Sequence, residues 1–459
     1  MANAGTQCVV FPELLDRPVQ ARFDEPGTSV DGGAVLLAGL DRGIGLTERL
    51  AGALRDGRQP GKVVHGLVDL VRQRVFGLAC GYADCNDASA LRHDPIQKLL
   101  LERDPLDGAG LADQSTLSRF ENSAGARDLY RMASELMDVV IEQNRKRLPA
   151  RRVKRITIDL DPTEDPTHGH QQLALFNGHY DAWCYLPLLA FVTFDDEPEQ
   201  QLVAAMLRSG RAAAGEGAIP MLRRLLPRLR QAFPRARLRI RLDGGFAGPQ
   251  ILDFLERERI EYIVALGRNS VLSRRIEPLM KRVRGATEQS GQTETELGET
   301  RYAAKSWGKK QRRVVMKAEV VRFEDRSPRD NARFVVTNLR HSPANLYQLY
   351  RDRGDSENRI KELKIDLELD RTSCTRFLAN QLRVLLTAAA FVLFQQMRVR
   401  LAGSTKEQRP TVGTMRLRLL KIAARVESSA RRVVLHFAAS HAWAAQWMRL
   451  ARSCGAVLT

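Results

Sequence analysis

The chain has 459 residues, long for one compact domain and enough for about three at ~150 residues each. Its 44% hydrophobic and 27% charged residues match an ordinary folded protein and exclude a disordered tail or a fibrous repeat. Lys and Arg number 72 against 54 Asp and Glu, a formal net charge of +18 rich in Arg, so the expected partner is a polyanion whose phosphate oxygens match guanidinium forks.

No run approaches the ~18 apolar residues of a spanning helix, so no membrane partner is expected, and the longest apolar run, 384–394, reads as a buried helix. The opening Met-Ala-Asn-Ala-Gly-Thr-Gln lacks the positive start and apolar stretch of a leader, so a cytoplasmic protein, nucleoid-associated when bound to DNA, is expected. Six scattered cysteines support neither a zinc ribbon nor a disulfide framework, and the closest two, Cys80 and Cys85, read as ordinary thiols.

Residues 1–40 show no sustained periodicity and read as an extended arm or short strands. Residues 46–147 read as helical. Val64, Leu67, Val68, Val71 and Val75 recur at helical spacing, as do Leu129, Met132, Leu136, Val139 and Val140. An N-terminal helical DNA-binding region over 1–150 follows. Within it, Asp113 and Ser115 are N-cap candidates ahead of Thr116, Ser118 and Arg119; a helix-turn-helix recognition element and a capped surface helix both fit that stretch.

At 155–161 the period changes to two, with Ile156, Ile158 and Leu160 on one face and Thr157, Asp159 and Asp161 on the other. Strand candidates at 184–194, a helix at 218–233, a strand at 238–242 ending in Asp243-Gly244-Gly245-Phe246, a helix at 249–259 and a strand at 262–266 give a mixed α/β core over 151–269. Residues 270–340 read as a β-rich insertion. Helices at 344–364 and 376–399 return the chain to the core over 341–400, and 401–459 reads as a basic helical tail.

No phosphate-binding Gly-x-x-x-x-Gly-Lys-Ser/Thr loop occurs, so no nucleotide cofactor is expected. Carboxylates stand instead at strand ends: Asp159 or Asp161 after one strand, Asp243 after another. Acids converging from different strands are what two divalent metals need for in-line displacement at phosphorus. In 350–364, Tyr350, Arg353, Lys361 and Lys364 lie at −7, −4, +4 and +7 from Glu357, one face of a helix, so one acid is flanked by phosphate-binding groups. An exposed helix with i,i+4 charge pairs accounts for the same spacing.

Tyr350-x2-Arg353-x3-Glu357-x6-Lys364 matches the Tyr-Arg-Glu-Lys signature of a large group of insertion-sequence DDE transposases. With Asp159-Leu-Asp161-Pro-Thr163, Leu242-Asp243-Gly-Gly245-Phe246, His168-Gly-His-Gln171, Asn177-Gly-His-Tyr180 and 333–339, the chain closely resembles insertion-sequence family 1380 transposases to about residue 400. The resemblance implies a DNA transposase with an RNase H-like (retroviral-integrase-like) core split by the insertion. Asp161 or Asp159, Asp243 and Glu357 would bind two Mg²⁺ ions, for which Mn²⁺ can substitute; Asp161 fits the Asp-x-Thr pattern. It further implies double-stranded DNA as partner, at transposon ends and target, with Tyr350, Arg353 and Lys364 on end DNA, and a homodimer in the synaptic complex.

The stretch from Asp243 to Glu357 far exceeds ordinary connections of ~2–6 residues, and the strand-rich piece fills it. Trp307, amid basic residues there, fits either stacking on a displaced base or packing in a core. His168 and His170 lack partner ligands and read as a turn or a DNA contact.

Overall fold

In the strand Arg155–Pro162 (β1), every residue from Ile156 to Asp161 is buried, polar face included, which marks it as the centre of a sheet covered on both sides. A computed structural model describes residues 8–402 and 409–457; the leader reading of residues 1–7 and part of the predicted tail lie outside them. Leu188–Phe194 (β2) pairs antiparallel with β1, and Gln201–Met206 (β3) pairs antiparallel with β2. On the other side Arg237–Leu242 (β4) runs parallel to β1, and Glu261–Leu266 (β5) parallel to β4. The parallel pairs are joined through helices Ala218–Ala232 and Pro249–Arg257, as parallel pairing requires.

Residues 270–340 hold three strands and, ahead of them, a helix that the sequence pattern did not show. The segment opens with a 21-residue helix, Ser270–Ser290, and its strands Glu294–Tyr302 (β6), Arg312–Val321 (β7) and Arg329–Thr337 (β8) prolong the core sheet. The final order is β3-β2-β1-β4-β5-β8-β7-β6. The cause lies at β5: its free edge takes β8 antiparallel, from Ile263↔Thr337 to Leu266↔Phe334, and Val314, Met316, Ala318 and Val320 alternate inward along β7.

Phe377–Leu401 is, among the described residues, the one helix long and apolar enough to cross a membrane, and 89% of its most apolar stretch is buried. It packs on β3 and on the N-terminal helices Leu67–Cys80 and Ala126–Arg147. That helical unit starts earlier than expected, at Val35, and the helix read from the spacing of Val64 to Val75 runs from Leu67 to Cys80, between Gly66 and the left-handed Gly81. The C-terminal region is not all helical. Ala424–Ser429 and Arg432–Phe437 form a hairpin that adds Thr28–Ser29 as a third strand, because Ala424 and Val426 alternate inward while Arg425 and Glu427 face out. Gly33 allows this closure: a Cβ there would stand 1.9 Å from the Leu419 carbonyl oxygen.

Candidate active site

The parallel register of β1 and β4 sets Asp159 beside Arg241, so two residues further on each chain Asp161 and Asp243 meet at the same sheet end. Adjacent strands lie ~4.8 Å apart, which makes these neighbouring positions on one face. Asp243 folds back onto its own turn and accepts the Gly245 N–H at 2.8 Å, a contact that the following glycines allow.

The third acid arrives from beyond the insertion. Arg353 and Ser356, at the start of helix Gly354–Lys361, hold Asp161: Arg353 Nη2 stands 2.7 Å from Oδ1 and the Ser356 hydroxyl donates to Oδ2 at 2.9 Å. Arg353 Nη1 is also 4.0 Å from the Glu357 carboxylate, whose side chain is 66% exposed. Burial pushes the Asp161 carboxyl up to about 6; Arg353 and Ser356 pull it down, and the charges of Asp243 and Glu357 push it further up. The charges of Asp243 and Glu357 thus both reach Asp161.

Asp159 sits differently. It has no exposed surface, Arg241 clasps it through Nε at 2.8 Å and Nη2 at 2.7 Å, and Gln200 donates to it at 2.9 Å. The same guanidinium donates to the Leu349 carbonyl at 2.9 Å, which ties β4 to helix Pro343–Arg351. Neither Arg241 nor Ser356 was expected. Arginines alternate at 237, 239 and 241 along β4, and a row of cations on a buried face is the signal for facing acids: Arg239 pairs Glu261 as Arg241 pairs Asp159.

The single helical face expected over 350–364 is broken. Tyr350 ends Pro343–Arg351, Gly354–Lys361 begins a new helix, and Lys364 lies in a π-helical turn, Glu362–Asp366. Gly354 and the turn at Asp352 supply the break. Arg353, expected on DNA, is 9% exposed and turned onto Asp161. Lys361 is exposed, and Lys364 Nζ stands 3.8 Å from both Glu164 and Asp370. Burial, opposed by Arg353, raises the Tyr350 hydroxyl, and Asp243 and Asp161 act on it as well. Trp307 takes the packing alternative: it is buried, meets Tyr302 edge-on, and its N–H donates to the Ala247 carbonyl at 3.3 Å. Arg119 is exposed on helix Gln114–Ser123, which Asp113 caps by accepting the Thr116 N–H at 2.8 Å.

His168 and His170 are exposed, and among the described residues no three acidic, His or Cys side chains are gathered tightly enough to hold a cation as they stand. The donor set at Asp161, Asp243 and Glu357 is nonetheless hard oxygen throughout, which suits Mg²⁺, and a guanidinium now supplies the positive charge between two of the three.

Against known proteins, no curated protein matches the chain. A solved structure similar to it is the cryo-EM piggyBac transposase synaptic complex with hairpin DNA, at TM-score 0.43 and 10% identity, covering 84% of this chain and 79% of that one. Residues 11–454 match the family described as transposase DDE domain group 1, nearly the whole chain. The chain belongs to that family and is a DNA transposase of the DDE class.

Proposed function

We propose that this transposase binds the terminal inverted repeats of an insertion sequence, hydrolyses phosphodiesters at its ends and joins the resulting 3′-hydroxyl to target DNA, with Asp161, Asp243 and Glu357 as its acidic triad. The observation that supports this reading is the β1/β4 register, which sets Asp161 and Asp243 at one sheet end, together with Arg353, which stands 2.7 Å from Asp161 and 4.0 Å from Glu357. The order β3-β2-β1-β4-β5, with β1–β3 antiparallel and β4 and β5 parallel to β1, supports an RNase H-like core. The Tyr350–Lys364 signature supports placement with the insertion-sequence family 1380 type.

Asp161, Asp243 and Glu357 would hold two Mg²⁺ ions, with Mn²⁺ as substitute, whose chemistry is to neutralise the developing charge on phosphate oxygens and activate the attacking oxygen. The protein's own part is positional. Ser356 and Arg353 orient Asp161, Arg241 keeps β1, β4 and the helix before Tyr350 in one frame, and Tyr350, Lys361 and Lys364 hold the DNA backbone. Two ends are handled together by a homodimer.

Incubating the protein with inverted-repeat DNA, with and without Mg²⁺, tests this reading. Glu357→Gln should bind the ends and fail to cut them; full cleavage by that variant overturns Glu357 as the third acid, and hybrid cleavage indifferent to the repeat sequence favours a general nuclease.

A further inference from the structure

Residues 9–21 form a two-stranded hairpin, Val9–Phe11 against Val19–Ala21, whose strands are exposed but for the half-buried Val19. Phe11 is 48%, Leu14 66% and Leu15 60% exposed, and Phe23 beside them 90%. An isolated hairpin of this size is marginal in water, and so many uncovered apolar side chains on one element mark an interaction surface. The charge of the hairpin and the segment that follows it, 9–25, runs against that of the whole protein: Glu13, Asp16, Asp24 and Glu25 outnumber Arg17 and Arg22. Such an arm avoids phosphate and seeks a basic, apolar-floored recess.

The N-terminal helical unit contains one. A groove of about 920 Å³ opens between the 55–65 segment and helix Gln114–Ser123, floored by Leu67 and Phe120 and rimmed by Lys62, Arg92 and Arg119. Val64, on its lip, is 82% exposed. Five arginine or lysine side chains line it against three acids; Asp56 is already paired with Arg58 and Asp113 caps its helix, whereas among the described residues Lys62, Arg92 and Arg119 make no ion pair. Its apolar floor suits apolar side chains, and its rim suits the carboxylates that flank them.

We infer that the acidic hairpin of one copy docks in this groove of a second copy, and that the exchange is reciprocal, as a two-fold dimer requires. Phe11, Leu14 and Leu15 fill the floor, and Glu13 and Asp16 meet the rim, so that Arg119 faces a carboxylate in place of the DNA phosphate expected of it. The inference concerns self-association without DNA and stands whether or not the acidic triad is correctly assigned.

The test uses the full-length protein free of DNA. Sedimentation velocity should show a dimer that the double variant Phe11→Asp/Leu14→Asp weakens at least about tenfold, with the same melting temperature as the parent at concentrations where both are monomers, because both side chains are uncovered in the single copy. Lys62→Glu should weaken it too, and Glu13→Lys added to Lys62→Glu should restore part of the loss. A photo-cross-linking residue at position 15, in a mixture of isotope-labelled and unlabelled protein, should join the arm of one label to the 55–65 or 111–120 segment of the other. A monomer at every concentration, or cross-links only within one label, overturns the inference. So does loss of DNA binding by Lys62→Glu or Arg119→Glu with self-association intact, which would make the groove a nucleic-acid site.

Discussion

Arg241 clasps Asp159 with two of its nitrogens, at 2.8 and 2.7 Å, across the boundary between β1 and β4. The pair is sealed from water and fixes the relative height of the two strands. The acid two residues later, Asp161, is left at the open end of the sheet, where it contacts the segment that carries Glu357.

Asp159→Asn should therefore damage the fold before the chemistry. An uncompensated buried guanidinium costs about 3–5 kcal/mol, readable as a lowered urea midpoint. The double variant Asp159→Leu/Arg241→Met should recover much of that loss. A normal midpoint for Asp159→Asn would mean that Arg241 finds another partner.

Asp161→Asn, Asp243→Asn and Glu357→Gln should each lower end cleavage by about 10³-fold or more with gel-shift affinity for end DNA kept; the melting temperature should stay near the parent's for Glu357→Gln, at an exposed side chain, and fall for Asp161→Asn, which strands the buried Arg353. Cleavage that survives at Asp161→Asn and vanishes only at Asp159→Asn, in folded protein, would reverse the choice of first acid.

Arg353→Ala should separate catalysis from binding. Because the side chain is turned inward onto Asp161, cleavage at saturating DNA should fall about 10²-fold with little change in the DNA dissociation constant. A larger effect on binding would return Arg353 to the DNA backbone.

Asp165 sets a pH dependence of stability. Its carboxyl is buried with the Thr372 hydroxyl at 2.9 and 3.0 Å, and burial, eased by Thr372 and worsened by Asp370, pushes it up to about 8. Unfolded, it ionises near the ordinary value of about 3.9. Between those values the folded chain binds the extra proton, so this group's support is full in acid and is withdrawn as pH rises toward 8. The melting temperature of Asp165→Asn relative to the parent should rise from pH 5 to pH 8; a constant difference would contradict a raised Asp165.

Trp307→Ala should cost about 3–5 kcal/mol as a core truncation, whereas Trp183→Ala, at a side chain 58% exposed, should cost little. If Trp307→Ala leaves the urea midpoint unchanged, its packing against Tyr302 and Ala247 is not what holds it.

The central strands were readable because a half-polar strand carries its period openly: 155–161 alternates, and 238–242 ends at a turn that its own glycines announce. Two aspartates on the same face of β1 could not be told apart by alternation, since what separates them is the facing residue, Arg241, 82 positions away. The spacing around Glu357 correctly placed Arg353 beside it but assumed an unbroken helix. The break at 352–354 is what allows Arg353 to turn inward. The strand at 201–206 escaped notice because an apolar run buried on both faces carries no period, and the C-terminal hairpin because its two inward residues are lost among arginines.

The pairing of Thr28–Ser29 with Ala424–Arg425 gives the chain a timetable. The N-terminal unit emerges first from the ribosome, yet the strand that completes its edge is made nearly four hundred residues later. A product that ends before that hairpin leaves this edge unpaired. The edge of the N-terminal unit is thus closed only once the last hairpin has been made.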